Sequence, residues 1–125
     1  MDLDFSKSED GLIPAIAQDW QTGEILMQGF INRLAFEKTI ECGYATYWSR
    51  SRNEIWTKGL TSGNVQKVHR ILTDCDKDSV IYCVEQIGGA ACHNGYRTCF
   101  YREYQDGKWV EIMEPLCDPN TLYKK

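Results

Sequence analysis

Residues 74–100 read DCDKDSVIYCVEQIGGAACHNGYRTCF. At the centre lies SVIYCVEQ, residues 79–86, an apolar, β-branched run between an acidic cluster and a Gly-Gly pair. Such a run predicts a strand, with Cys83 packed in the core. Ahead of it, Asp74, Asp76 and Asp78 alternate with Cys75 and Lys77. On an extended backbone, residues i, i+2 and i+4 share a face, which would put three carboxylates on one side and Cys75 on the other. The carboxylate side is a hard-oxygen site suited to Mg²⁺ or Ca²⁺, and the thiol is a soft donor suited to Zn²⁺. An EF-hand is excluded, because its sixth loop position must be Gly and here is Ser79. Taken singly, an acidic D-x-D-x-D run is most often a solvated turn, and a lone cysteine is most often a small buried hydrophobe. The grouping of Cys75, Cys92, His93 and Cys99 in one stretch, with Gly88, Gly89 and Gly95 to fold it back, favours a metal site. The spacing from Cys92-His93 to Cys99 is not that of a zinc finger.

Outside this stretch the chain reads as more strands and one helix. Residues 12–20 (LIPAIAQDW) predict a strand, which Pro14 confines to a sheet edge or to the strand's start. A turn at 21–23 returns it through residues 24–30 as a hairpin. Asn32 is a good N-cap for a helix over residues 33–42, with Leu34, Ala35 and Ile40 available for one face and Gly43 to end it. Residues 44–49 and 54–58 predict a second hairpin, and residues 65–73 read as a bulged strand in preference to a helix. Residues 98–104 and 108–113 predict a third hairpin around Asp106-Gly107. Residues 1–11 and 114–125 read as irregular ends, with Cys42 and Cys117 incidental. The expected class is α+β, a compact, barrel-like, mostly antiparallel sheet with one main helix, forming a single domain over residues 1–125.

The formal net charge is −4 over 125 residues, which argues against a nucleic-acid surface. No apolar run is long enough to span a membrane and no signal peptide opens the chain, so a cytoplasmic protein is expected. Six cysteines in that compartment point to metal or catalysis rather than to disulfides. Arg50 and Arg52 are expected on one face of a strand end, close in sequence to Lys58, Thr61 and Ser62. Guanidiniums, an ammonium, hydroxyls and glycine-exposed amides suit a phosphate, although a solvated basic turn has the same appearance. His69 has no partner in sequence and reads as structural. His93 adjoins a candidate ligand and could be a ligand itself, a group supporting one, or a proton shuttle.

Several segments together carry a resemblance. They are GLIPAIAQD (11–19), TGEILM (22–27), SRSR (49–52), WTKGLTSGN (56–64), DCDKD (74–78) and CHNGYRTCF (92–100). In this order and over nearly the whole chain, the sequence resembles the phosphoribosyl-AMP cyclohydrolase family of histidine biosynthesis. The resemblance implies zinc ligands at Cys75, Cys92 and Cys99, magnesium ligands at Asp74, Asp76 and Asp78, and a catalytic histidine at His93. It also implies an intertwined homodimer that shares each zinc between subunits. The implied reaction is hydrolysis of the purine N1–C6 bond of a nucleotide, 1-(5-phosphoribosyl)-AMP. Arg50, Arg52, Lys58, Thr61 and Ser62 are then candidates for the substrate phosphates. The stretch 88–91 is a residue longer than in some relatives, and the chain leaves no room for the pyrophosphohydrolase domain fused to others. A zinc deaminase would attack the same ring position, but its H-x-E…P-C-x-x-C signature is absent. A non-catalytic zinc-stabilised module would instead need four protein ligands.

Overall fold

A computed structural model describes residues 3–116. Eight strands and one helix follow in the order β1 (Ile13–Asp19), β2 (Ile25–Ile31), α1 (Arg33–Cys42), β3 (Thr46–Ser49), β4 (Glu54–Thr57), β5 (Gln66–Thr73), β6 (Val80–Gln86), β7 (Arg102–Gln105) and β8 (Lys108–Glu111). The main sheet has the order β2-β1-β6-β5, while β3-β4 and β7-β8 form two-stranded ribbons. The class is therefore α+β as expected, but no barrel closes among the described residues. The sheet is open and mixed, because β1 pairs antiparallel with β2 and parallel with β6. Its β5 edge is partly covered by the chain before β3, where the Ala45 amide donates to the Gln66 carbonyl and the Val68 amide to that of Gly43. Pro14 lies in the second position of β1, before pairing with β6 begins at Ala15, so its missing amide costs that ladder nothing.

Strand alternation supplies the core. Ile13, Ala15 and Ala17 of β1 point inward with Val80, Tyr82 and Val84 of β6, and Leu26 and Ile31 of β2 join them. Cys83 is buried as well. β5 carries a bulge between Val68 and Arg70. Gly29 of β2 is required by Tyr47, since an added Cβ would lie 2.7 Å from the Tyr47 ring.

Asn32 caps α1 by accepting the Ala35 amide at 2.9 Å, an interaction worth about 1 kcal/mol. Gly43 ends the helix in the left-handed conformation. The buried face differs from expectation. Ala35 and Thr39 are buried, whereas Leu34 and Ile40 are 55% and 59% exposed. Thr39 is drawn inward because its hydroxyl accepts the Thr46 amide and donates to the Ala35 carbonyl. His69 is structural, as expected, stacked on Trp20 with ring centroids 4.0 Å apart and hydrogen-bonded to Glu85. The third hairpin is shorter than expected and exposed along both strands. Cys117 lies outside the described residues, and no described helix is long and apolar enough to cross a membrane.

A buried polar chain runs through the fold toward the loop after β4. The Tyr47 hydroxyl donates to Gln66 Oε1 at 2.7 Å, Gln66 Nε2 to Gln86 Oε1 at 2.9 Å, and Gln86 Nε2 to the Asn64 carbonyl at 2.8 Å. Replacing Gln86 with Leu would strand Gln66 Nε2 and the Asn64 carbonyl. Urea unfolding of Gln86→Leu is expected to show a loss of about 3 kcal/mol, the desolvation penalty of two orphaned groups. A loss within experimental error would mean that these bonds do not brace the fold.

Candidate active site

The acidic segment is a turn rather than a strand. Lys77 has φ 63°, and the Asp78 amide donates to Asp74 Oδ1 at 3.1 Å. The three carboxylates still converge, but through the turn and not by strand alternation: one oxygen from each of Asp74, Asp76 and Asp78 lies within 4.8 Å of the others. The Lys7 ammonium reaches into this cluster, 2.8 Å from Asp76 and 3.5 Å from Asp78. Its hydrogen bond is the main reason that Asp76 is held down at about 2. Asp78 moves the other way, raised chiefly by its hydrogen bond with Asp76. Three convergent hard-oxygen donors fit a divalent cation of the magnesium type.

The second group of expected ligands divides. Cys92 and Cys99 stand close enough for their thiols to interact, and burial followed by the Cys92 charge pushes Cys99 up to about 11. Two adjoining thiols suit a soft cation between them. The Asn94 amide also donates to Cys92 Sγ at 3.4 Å. Cys75 does not join them within one chain. Among the described residues the only group of three or more potential ligands is the aspartate cluster.

His93 and Lys58 complete the thiol side. Lys58 follows β4 and is 5% exposed. Burial lowers its pKa, while the Cys99 and Cys92 thiols act in the opposite direction. Burial, then the Lys58 charge, lowers the pKa of His93. An ammonium buried with no carboxylate partner among the described residues is costly, and such groups concentrate at functional sites. Its burial, unreadable from sequence, sets Lys58 apart from an ordinary surface phosphate ligand.

Lys58 and His93 line an open cavity of about 770 Å³ together with Arg52, Trp56, Thr61 and Ser62. Arg52 is placed by the β3–β4 turn, where its amide donates to Ser49 Oγ at 3.2 Å and Asn53 takes the left-handed conformation. Arg50 takes another direction. Its guanidinium lies over the Phe30 ring, 4.2 Å from the centroid, and it does not line the cavity. The two arginines thus belong to a turn that splays them, not to one face of a strand.

An open cavity lined by an imidazole, a buried ammonium, a guanidinium and hydroxyls, with two thiols beside the ammonium, is the equipment of a hydrolase. The sequence profile of phosphoribosyl-AMP cyclohydrolases matches residues 27–101. A protein of that name from Desulfatibacillum aliphaticivorans is 58% identical over 125 residues, covering 100% of this chain and 99% of the relative. Another, from Desulfotalea psychrophila, is 54% identical over 123 residues, covering 98% and 97%. The chain belongs to the phosphoribosyl-AMP cyclohydrolase family.

Proposed function

We propose that this chain opens the purine ring of 1-(5-phosphoribosyl)-AMP by hydrolysis, in the histidine pathway of the cytoplasm. The observation that carries the mechanism is the gathering of Cys92 and Cys99 beside Lys58, which lines the cavity together with His93. Cys92 and Cys99, with Cys75 of a second copy, would hold Zn²⁺, and Asp74, Asp76 and Asp78 would hold Mg²⁺. Bound zinc would supply a water acidified from a pKa of 15.7 toward about 7, and magnesium would offset phosphate charge.

The residues of the chain do the rest. Desolvation and then the Lys58 charge hold His93 below the ordinary histidine pKa, which favours the neutral imidazole that would accept a proton from the attacking water. The water oxygen bonds to C6, the C6–N1 bond breaks, and His93 returns the proton to N1. The second water proton passes to the exocyclic imino nitrogen on C6, so that C6 becomes the carboxamide carbon on the imidazole and N1 stays on the formimino group. Arg52, Thr61 and Ser62, which line the cavity, would grip a phosphate. Trp56 offers an aromatic face to the nucleotide.

A homodimer is part of this reading. Its support is the separation of Cys75 from the thiol pair in one chain, and the exposure of the large apolar side chains Leu34, Ile40, Tyr104 and Trp109. The activity test uses purified protein with Zn²⁺ and Mg²⁺. Phosphoribosyl-AMP should be converted to the ring-opened product, followed by ultraviolet absorbance. A folded, metal-loaded sample with no turnover refutes the proposal.

A further inference from the structure

The thiol pair sits on a loop that is closed on itself before it meets the sheet. The Ala91 amide donates to the Arg97 carbonyl, the Cys92 amide to that of Tyr96, and the Gly95 amide to that of Cys92. The loop is then fastened to β2 at its far end, where the Cys99 amide donates to the Leu26 carbonyl at 2.7 Å and Thr98 Oγ1 to the Ile25 carbonyl at 2.7 Å. Between these two fastenings lies Arg97. Its Nε donates to Glu24 Oε1 at 2.6 Å and its Nη2 to Asp19 Oδ2 at 2.8 Å. The two carboxylates stand on either side of the β1–β2 turn. Asp19 spends its other oxygen on that turn, accepting the Gln21 and Thr22 amides. One planar guanidinium thus ties the segment between Cys92 and Cys99 to both strands of the hairpin beneath it. A lysine, with a single point of charge, cannot reproduce this two-pronged geometry.

We infer that Arg97, with Asp19 and Glu24, is a positioning residue that fixes the Cys92–Cys99 pair in the arrangement that receives the metal. This deepens the proposed function and rests on its zinc reading. Arg97 touches neither sulfur in this role. It removes freedom from the loop, so that less ordering remains to be done when a metal binds. Residues that orient metal ligands from behind commonly change affinity by about 10- to 100-fold when lost.

The test is zinc affinity, measured by competition with a chromogenic chelator on folded protein well below its melting temperature. Arg97→Gln and Arg97→Lys should each bind zinc about 10- to 100-fold more weakly than the unaltered chain. Glu24→Gln takes the charge from one prong while keeping an acceptor oxygen, and should fall between them and the unaltered chain. Circular-dichroism melting of the metal-free proteins separates positioning from general stability: a purely structural Arg97 would lower the melting temperature and leave affinity unchanged, and that result overturns the inference. If Arg97→Gln does not fold, Glu24→Gln decides, and affinity equal to that of the unaltered chain overturns it. An unaltered protein that binds no zinc overturns the metal reading itself, and the inference with it.

Discussion

Cys75→Ser and Cys92→Ser proteins, each inactive alone, are expected to regain activity when refolded together. The expectation follows from where one chain places its thiols: Cys92 and Cys99 adjoin, while Cys75 is exposed in the acidic turn and apart from them. If a second copy brings Cys75 to the pair, two-fold symmetry makes two identical sites. A mixed dimer then collects both lesions in one site and leaves the other whole. Random mixing in equal amounts gives about half mixed dimers with one working site of two, and hence about a quarter of the unaltered activity. Zinc content should recover in the same proportion. Verified mixed dimers that stay inactive would mean that each metal is held within one chain.

His93→Ala should retain zinc and lose about 10²-fold or more in kcat, the usual size of an acid–base contribution. The loss should fall on kcat more than on KM, because His93 is assigned to the proton and not to the phosphates. Lys58 is buried on the same wall and remains in the variant, so the cavity keeps its charge. Inductively coupled plasma measurement of bound zinc is the companion readout. Loss of zinc along with activity would make His93 a ligand and the three-thiol arrangement wrong.

Local signals in the sequence were reliable where one short segment decides its own structure. Asn32 and Gly43 bound the helix, and the turn residues set the hairpins, because caps and turns are satisfied by neighbours along the chain. The parallel pairing of β1 with β6 carries no such local mark, and so an open mixed sheet was read as barrel-like. The helix face was misjudged for a related reason. Hydrophobicity favoured Leu34 and Ile40, whereas a hydroxyl bonded across to Thr46 drew Thr39 inward. Convergence of the three aspartates was legible, but from strand alternation in place of the turn that produces it. Arg97 escaped notice altogether, since its partners lie 73 and 78 residues away and no spacing links them.

The parallel pairing also governs the order in which the chain can assemble. Gln18 of β1 meets Cys83 of β6, 65 residues later. During synthesis, the β1–β2 hairpin can close as soon as it emerges, but one flank of β1 has no partner until β6 follows. The chain must close a loop containing the helix, the β3–β4 ribbon and β5 before this contact stabilises anything. Loops of that span make folding slow, and they leave a strand edge open to wrong partners in the interval. Refolding from denaturant is therefore expected to be limited by the docking of β6 on β1, and the nascent protein is expected to be most prone to aggregate before that strand is in place.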